Sequence, residues 1–449
     1  MHAHHSSRRV LMKSVLSLAL CFIGTVALGQ NDVERTVITN VHLFDGVSDE
    51  RLEDVNVLIE DHLISMISAD AISAEGATVI DGNGGTLMPG LVDNHVHLSM
   101  VTVTIPDLLF GEPTYPLVRA VRDAEEMLMR GVTTGRDMGG NIFGLKRAID
   151  EGVVPGPRIY PSGRFLSQTS GHFDFRTKTE THRTFSGIEP TGDRLGWVFT
   201  VDGVPQVLAA ARENLRLGAS QIKIAAGGGY SSPTDPLLST QLTFEEMKAA
   251  ADAATDFGTY VTMHAYTPDA VNRAIDAGIK DVGHGQLLDR PTLERMAEEG
   301  VFLSTQPFTV CNEPQLDAFS NSKLNTVCQG TANMYQIVSE LPELNVTWGT
   351  DLFNVPDAAD QVQQLERLLP WFKPVEILKQ ATGNATALLA MSGDKNPYPD
   401  GPIGRVVEGG YADLLIVDGN PLEDLAAVTN ADNIKLIMKN GEVFKDTLE

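Results

Sequence analysis

The clearest candidates for a chemical role in this sequence are two histidines, His95 and His97, separated by one residue. They end the segment TLMPGLVDNHVH (86–97), which has the composition of a β-strand, and residues i and i+2 of a strand point to the same side. The two imidazoles should therefore converge on one point, as ligands of a metal ion do. Alone the pair is weak support for a metal site, because many His-x-His pairs are structural.

Four further residues strengthen the metal interpretation. His264, His284 and Asp351 each lie at the end of a predicted strand. Lys223 lies inside another, between two isoleucines, and a lysine in an apolar strand is costly unless its charge is removed or paired. Reaction with CO₂ would convert it into an anionic carbamate that can bridge two cations. Each residue alone has an ordinary structural explanation, but the coincidence of all these positions favours a metal centre.

The predicted elements that position these residues alternate between apolar strands and amphipathic helices. The strands are 86–97, 131–139, 158–166, 221–226, 260–265, 281–285, 301–306 and 346–351. The helices include 115–130, 204–217, 243–257, 268–277 and 291–299, the third with a capping box of Thr243 and Glu246. This alternation predicts a (β/α)₈ barrel, whose site lies at the carboxyl ends of its strands. Part of the chain between the third and fourth strands, residues 167–203, is predicted to be a long loop over the site.

Both ends of the chain are rich in short β segments. Residues 36–91 contain several, and 404–444 contain more, including a hairpin turn at Asn440-Gly441. Two such segments can form one module around an inserted domain. We therefore predict an α/β fold: a (β/α)₈ TIM-like barrel over 89–391, and a small β-sandwich domain formed by N- and C-terminal segments, 30–88 and 392–449.

The first 29 residues have the pattern of a secretory signal peptide. Basic residues precede an apolar stretch over 15–26, and small residues at 27 and 29 permit cleavage before Gln30. A retained anchoring helix is one alternative, although the stretch is short for a membrane span, and lipidation of Cys21 is another. We predict a secreted or periplasmic protein, with no membrane association once the signal is removed.

Composition excludes several partner classes. The 449 residues include 59 acidic and 34 basic ones, giving a net charge of −25. That balance argues against a nucleic-acid or anionic-membrane partner. Beyond the signal region only Cys311 and Cys328 remain, and they could pair in an oxidising compartment or stay as buried thiols.

Taken together, these motifs resemble the metal-dependent amidohydrolase superfamily. The resemblance is carried by TLMPGLVDNHVH, KIAAGGG, VTMHAY, VGHG and WGTD, and by the closing phrase ADLLIVDGNPLED. It implies the binuclear branch, with two divalent metal ions, expected to be Zn²⁺. The implied ligands are His95, His97 and Asp351 on one metal, His264 and His284 on the other, and a carbamylated Lys223 between them.

Two longer phrases narrow the resemblance. GRFLSQTSGHFD (163–174) and KIAAGGGYSSPTDP (223–236) are similar to the prolidase-like, imidazolonepropionase-related group. That group includes Xaa-Pro and Xaa-Arg dipeptidases and carboxypeptidase-like enzymes that hydrolyse ochratoxin A. Deaminases of the superfamily carry His-x-x-Glu where this chain has His264-Ala265-Tyr266-Thr267, so amide hydrolysis is favoured over deamination. Relatives of this kind form large homo-oligomers such as octamers, and the same is expected here.

The resemblance implies hydrolysis of the amide bond of a small-molecule or dipeptide substrate, either a dipeptide or an N-acyl amino acid with a free C-terminal carboxylate. A hydroxide bridging the two metals would attack the carbonyl, with Asp351 as ligand and general base. His172 and Tyr230 are candidate substrate-binding residues, against ordinary roles in a loop and in the core. A cyclic amide or lactone hydrolase on the same scaffold is the alternative. A non-enzymatic scaffold is disfavoured because all the ligand positions are filled.

Some residues near the predicted strand ends have two interpretations. Arg136 and Asp137 lie in the last part of the second strand and could serve the site or form a structural ion pair. A group of apolar side chains could line a substrate pocket or simply belong to the core: Met100, Phe165, Phe173 and Phe308.

Overall fold

A computed structural model describes residues 33–448, so the predicted signal peptide lies outside the described residues. The strands are β1 Arg35–Leu43, β2 Leu52–Glu60, β3 Leu63–Ser68, β4 Thr78–Asp81, β5 Thr86–Pro89, β6 Leu91–Val96, β7 Val132–Asp137, β8 Arg158–Pro161, β9 Phe165–Ser167, β10 Val198–Thr200, β11 Ile222–Ala225, β12 Val261–Ala265, β13 Asp281–His284, β14 Phe302–Thr305, β15 Val346–Trp348, β16 Leu414–Val417, β17 Ile434–Lys439 and β18 Glu442–Asp446.

The α-helices lie mostly between the central strands. They are α1 Ile105–Phe110, α2 Tyr115–Met129, α3 Phe143–Asp150, α4 Arg183–Ser186, α5 Thr191–Leu195, α6 Val204–Leu217, α7 Phe244–Asp256, α8 Pro268–Asp276, α9 Arg290–Glu298, α10 Ala318–Val338, α11 Pro374–Gln380, α12 Gly383–Ala390 and α13 Ala426–Thr429. Two 3₁₀ helices cover Gln363–Leu368 and Gly393–Lys395. None of the helices in the described part of the chain is long and apolar enough to cross a membrane.

The two ends of the chain build one β-rich domain, as predicted. Its strands form a single hydrogen-bonded sheet in the order β18-β17-β16-β5-β1-β2-β3, with β4 also paired to β1. Strand β16 joins the chain ends by pairing antiparallel with β5, where Leu415 lies opposite Met88. Apolar residues of both ends share one buried cluster, for example Ile38, Val57 and Leu436. Burial of this shared cluster holds the N- and C-terminal segments together.

The central region is a parallel α/β barrel, also as predicted. Its strands form two ladders, β6-β7-β8 and β10-β9-β11-β12-β13-β14-β15. Backbone hydrogen bonds connect the ladders, from Ser220 to Pro161 at 2.8 Å and from Asp351 to His95 at 2.8 Å. An isolated parallel bridge also pairs Val96 with Leu352. The core barrel strands are buried at every position, which explains their continuous apolar runs in the sequence.

The third predicted strand, 158–166, differs from the prediction because it is divided into β8 and β9. Gly163 lies between them with φ +72°, a conformation that glycine adopts without steric cost. The Asn214 side chain holds this break by hydrogen bonds to the backbone of Arg164, accepting from its N–H at 3.1 Å and donating to its carbonyl at 2.8 Å. The predicted loop 167–203 likewise contains the short elements α4, α5 and β10.

A buried polar network lies inside the barrel. Arg136 Nη1 donates to Asp281 Oδ2 at 2.7 Å, and both side chains are inaccessible to solvent. The hydroxyls of Thr262 and Ser304 also donate to Asp281, at 2.6 and 2.7 Å. The structural ion pair considered for Arg136 therefore exists, but its partner is Asp281 rather than the adjacent Asp137.

Candidate active site

The first group of predicted ligands comes from the junction of the first and last barrel strands. His95 lies in β6, His97 follows it directly, and Asp351 follows β15. Nε2 of His95 and Nε2 of His97 each lie 3.2 Å from Asp351 Oδ1. Candidate ligand atoms of all three residues lie within 4.8 Å of one another, close enough to hold one metal ion.

The second group lies on the neighbouring strands. His264 belongs to β12 and His284 ends β13, with their ring centroids 4.2 Å apart. His284 also lies 4.7 Å from His95 between ring centroids, and its Nδ1 is 3.8 Å from Asp351 Oδ2. His264 Nε2 donates to the Gly228 carbonyl at 3.2 Å, which leaves its Nδ1 lone pair available to a cation.

Lys223 completes the arrangement from β11. A Cβ placed on Gly283 would lie 2.9 Å from the Met263 carbonyl oxygen and 3.0 Å from Lys223 Nζ, so a side chain at this point would crowd both the backbone and the lysine. The Lys223 side chain is fully buried, and its Nζ has no hydrogen-bond partner within residues 33–448. Burial lowers the pKa of Lys223 to about 7, which makes the uncharged amine accessible near neutral pH.

The buried polar atoms of this cluster fit a divalent cation. Besides Lys223 Nζ, His95 Nε2 finds no hydrogen-bond partner in the described chain. Burial also holds the pKa values of His95, His264 and His284 well below the usual range, so these rings are neutral. Neutral imidazoles converging with a carboxylate are a donor set that suits Zn²⁺.

All predicted site residues line one cavity. His172 lies in it with its ring stacked on His264, the centroids 3.9 Å apart, and its Nδ1 is 2.6 Å from Ser232 Oγ. The buried Tyr230 lines the same cavity. The two candidate substrate-binding residues therefore stand beside the candidate ligands.

Aromatic side chains form much of the remaining wall. Phe165, Phe173 and Phe353 line the cavity. Of the other apolar candidates, Phe308 contacts Tyr230, their ring centroids 5.7 Å apart, and Met100 lines a neighbouring pocket. The wall is thus apolar around a polar floor, as small-molecule sites commonly are.

Three residues of the site were missed by the sequence analysis. Tyr266 lines the cavity, and its buried hydroxyl has no hydrogen-bond partner in the described region. The amide of Gln306 lies 2.9 Å from Nδ1 of both His284 and His95, and the buried Asp93 accepts a hydrogen bond from the His95 N–H at 3.1 Å. A signal existed for two of them, because Tyr266 is two residues from His264 and Gln306 ends a predicted strand.

The two cysteines left open by the sequence form a disulfide between Cys311 and Cys328. It ties the segment after β14 to α10. Glu313 lies in this segment, and its backbone exchanges hydrogen bonds with the Asn321 side chain at 2.8 and 3.0 Å. Burial, and secondarily the charge of Asp351, raise the pKa of Glu313 to about 7.

Comparison with known proteins places this geometry in a family. Residues 86–444 match the Amidohydrolase family. Ochratoxinase from Aspergillus niger is 28% identical over 437 residues, which cover 94% of this chain and 89% of that protein. A prolidase solved in complex with N-methylphosphonate-L-proline superposes with a TM-score of 0.84 at 31% identity, covering 92% of this chain and all (100%) of that one. A Xaa-Pro dipeptidase solved with bound methionine superposes with a TM-score of 0.79 at 26% identity, covering 92% of this chain and 100% of that one.

The chain belongs to the amidohydrolase family, and its prolidase and ochratoxinase relatives identify it as prolidase-like. It is accordingly a hydrolase of amide bonds. The family is metal-dependent, and His95, His97 and Asp351 form a group able to hold a metal ion. The predicted resemblance to this family and to its prolidase-like group is confirmed, and so is the predicted fold class.

Proposed function

We propose that this protein is a binuclear metallohydrolase that cleaves the amide bond of dipeptides or N-acyl amino acids with a free C-terminal carboxylate. The observation that carries the proposal is the convergence of His95 Nε2 and His97 Nε2 on one oxygen of Asp351, 3.2 Å from each. The prolidase and Xaa-Pro dipeptidase relatives favour dipeptides. The ochratoxinase relative favours an N-acyl amino acid, including ochratoxin A.

The candidate ligands would hold two divalent cations, with Zn²⁺ the best match to imidazole and carboxylate donors. Bound there, the cations would supply Lewis acidity to a water and to the amide carbonyl. Above about pH 7 the buried Lys223 amine is largely uncharged, the form that adds to CO₂. The residues assigned to the metals are His95, His97 and Asp351 to the first, His264 and His284 to the second, and a carbamylated Lys223 to both.

Asp351 is assigned the proton transfers. Its carboxylate lies among the imidazoles and is the acidic group that lines the cavity. In this role it takes a proton from the attacking water and delivers it to the leaving amine. No serine or cysteine nucleophile is required, so no acyl-enzyme should accumulate.

The remaining cavity residues orient the substrate. Burial raises the pKa values of Tyr230 and Tyr266 well above the usual range, so both phenols stay protonated and can donate hydrogen bonds to a carbonyl or carboxylate. His172 is held by Ser232 and offers its other ring nitrogen to the substrate. The phenylalanines around them exclude water, which strengthens these polar contacts.

The proposal is tested by substrates and by one substitution. Xaa-Pro, Xaa-Arg and N-acyl-phenylalanine substrates should be cleaved in preference to hydantoins and lactones. Asp351→Asn should abolish turnover while metal analysis still finds nearly two ions per chain. Substantial residual activity in this variant, or a trapped acyl-enzyme in the wild type, would contradict the mechanism.

We also propose that the protein is exported and forms a homo-oligomer. The Cys311–Cys328 disulfide supports export, because disulfides persist mainly in oxidising compartments. Fractionation of the producing cells should find the protein outside the cytoplasm, with Gln30 as its new N-terminus. Light scattering of the purified protein should give a mass several times that of one chain, and a monomer would contradict the second part of the proposal.

A further inference from the structure

A buried lysine of helix α10, Lys323, reaches the loop that follows β11. Its side chain is only 5% exposed. Its Nζ donates to three backbone carbonyls of that loop, those of Gly229, Ser232 and Asp235, at 2.7, 2.6 and 3.1 Å. An ammonium has three N–H donors, so all of them are used on one short stretch of backbone. The lysine therefore ties this loop to α10.

The charge of Lys323 is balanced where it lies. Oδ1 of the buried Asp235 is 3.7 Å from Nζ, and Oδ2 of the same carboxylate accepts the N–H of Gly229 at 2.8 Å. Burying a charge is costly unless it is paired and hydrogen-bonded, and both conditions are met here. An apolar side chain at position 323 would leave three buried carbonyls without their donor.

The loop held in this way is in direct contact with His172. Ser232 Oγ lies 2.6 Å from His172 Nδ1 and accepts the N–H of Phe173 at 3.0 Å. The backbone at Gly229 packs so closely on the imidazole that a Cβ placed there would lie 1.9 Å from His172 Nδ1. Gln241, just beyond the loop, accepts the N–H of His172 at 2.7 Å. A shift of the loop would therefore displace the His172 ring.

The same loop carries Tyr230, the second candidate substrate-binding residue. Tyr230 lies between Gly229 and Ser232, two of the residues whose carbonyls bind Lys323, and its buried side chain lines the catalytic cavity. Both candidate substrate-binding residues thus depend on backbone that Lys323 holds.

The candidate metal ligands depend much less on this lysine, because they lie in the barrel strands or directly after them. One of them, His264, contacts the loop at the Gly228 carbonyl. That point is fixed independently, since the N–H of Gly228 donates to the Ser239 carbonyl at 3.0 Å and Gly227 pairs with Thr240 at the base of the loop. Loss of the ammonium should therefore disturb the substrate side of the cavity and leave the metal side in place.

Helix α10 is a firm base for this contact. It is 21 residues long, and its N-cap, Asp317, accepts the N–H of Ser320 at 2.8 Å. The disulfide of Cys328 with Cys311 fixes the helix one turn beyond Lys323. A side chain anchored in this way can define the position of a loop that has no regular secondary structure of its own.

We propose that Lys323 is a positioning residue for substrate binding, whose ammonium holds the loop 227–240 so that Tyr230 and His172 face the substrate. This inference rests on the proposed amide hydrolysis for its substrate. The lysine itself touches neither the substrate nor the candidate metal ligands.

The kinetic test removes the ammonium and keeps the apolar stem. Lys323→Met does this, and Lys323→Gln is the milder variant because it retains two N–H donors. Lys439→Met is the matched control, since Lys439 is also buried, at 8% exposure, and donates to a backbone carbonyl, that of Gly156 at 3.0 Å, in the β-rich domain. The substrate is the best of the Xaa-Pro, Xaa-Arg and N-acyl-phenylalanine series, and metal content is measured in every variant.

Lys323→Met should raise KM by roughly 10- to 100-fold, the scale of effect that a small misplacement of binding groups produces. Its kcat should fall by less than about threefold and its metal content should equal that of wild type. Lys323→Gln should raise KM less. A merely destabilising substitution would instead lower the apparent kcat through loss of folded protein and leave KM unchanged. A KM in Lys323→Met within about twofold of the Lys439→Met value would overturn the proposal.

Chemical rescue separates the ammonium from packing. Lys323→Ala removes three methylenes and the amine, and n-propylammonium supplies those atoms. Adding it should lower the raised KM of Lys323→Ala towards the wild-type value. Lys323→Met, whose side chain fills the space, should not respond. A folded Lys323→Ala protein whose raised KM ignores n-propylammonium would show that the ammonium is not what holds the loop.

Hydrogen exchange tests the positioning without any catalysis. Deuterium uptake is followed by mass spectrometry in peptides covering 227–241 and 167–176, which contain the protected N–H groups of Gly229, His172 and Phe173. Both peptides should exchange faster in Lys323→Met than in wild type or Lys439→Met. If wild type cleaves no peptide but this difference is found, the proposed function fails and the positioning stands. If cleavage is intact and exchange is unchanged in both peptides, the positioning is overturned and the proposed function stands.

Discussion

Asp93 accepts hydrogen bonds from both the N–H and the hydroxyl of Thr350, at 3.0 and 2.6 Å. The same buried carboxylate accepts a hydrogen bond from the backbone N–H of His95 at 3.1 Å. Thr350 directly precedes Asp351, so Asp93 fixes the distance between two candidate ligands that are far apart in the sequence. We infer that Asp93 is a positioning residue for the candidate metal site.

Asp93→Asn should lower metal affinity by roughly 10- to 100-fold, as loss of a group that orients metal ligands typically does. The asparagine amide keeps the shape of the carboxylate. It has only one oxygen, however, and so cannot accept all of these hydrogen bonds. Competition with a chelator measures the affinity. Asp123→Asn is the matched control, because Asp123 is also buried and accepts a threonine hydroxyl, from Thr102, away from the site. Equal metal affinity in Asp93→Asn and wild type would refute the positioning role.

Lys223 should require CO₂ to hold the metals. The amine lies unpartnered in the site and its pKa is lowered to about 7, so carbamylation near pH 8 meets an uncharged nucleophile. We expect chelated protein to recover metal and activity faster when bicarbonate is added, and ¹³C-bicarbonate to give a carbamate signal in the NMR spectrum. Lys223→Met should lose both the signal and most bound metal, and full metal occupancy in that variant would contradict the bridging role.

The candidate ligands could be proposed from the sequence because each lies within or shortly after an apolar strand of a parallel barrel. Such strands can be recognised in the sequence as short apolar runs, and their carboxyl ends lie together at one end of the barrel. The positions of His264 and Asp351 followed from that rule alone. Asp93 and Gln306 could not be predicted in the same way, because their roles depend on hydrogen bonds to residues on other strands.

The same reasoning explains where the fold prediction failed. The break at Gly163 depends on the side chain of Asn214, a contact that no local pattern encodes. The partner of Arg136 is a residue 145 positions away, although an acidic neighbour, Asp137, stands next to it. Local periodicity therefore predicted the strands and helices. The break in the third strand and the partner of Arg136 could not be predicted, because they depend on polar contacts between residues far apart in the sequence.

Glu313 should make stability depend on pH between about 4.5 and 7. Its pKa is raised from 4.5 to about 7, so in this window the folded protein binds more protons than the unfolded chain. Stability from this group is present at low pH and is lost as the pH rises through about 7. Bound cations would offset the charge of Asp351. Burial, the larger cause of the raised pKa of Glu313, would remain.

Glu313→Gln removes this titration, because glutamine resembles the protonated acid. The stability of the variant relative to wild type should rise by about 1 kcal/mol from pH 4.5 to pH 8. This figure is reduced for the partial exposure of the Glu313 side chain. Urea unfolding at both pH values measures the difference. Glu343→Gln, at an exposed position, should show no such gain. An identical stability difference at both pH values would exclude a raised pKa for Glu313.

The buried Arg136–Asp281 pair should stabilise the barrel only as a pair. Arg136→Met would leave the Asp281 carboxylate inaccessible to solvent and without its cation, at a cost of about 3–5 kcal/mol in the free energy of unfolding. Adding Asp281→Asn removes the stranded charge while keeping partners for the hydroxyls of Thr262 and Ser304. The double variant should therefore recover a large part of the loss.

Urea unfolding of chelated proteins measures these differences apart from metal binding. The exposed pair Arg147–Glu151, with side chains 78% and 52% accessible, supplies the control. Arg147→Met should change stability by less than about 1 kcal/mol, because exposed ion pairs are screened by water. If Arg136→Met proved no worse than this control, or the double variant lost as much as the single one, the stranded charge would not be the cause of the destabilisation.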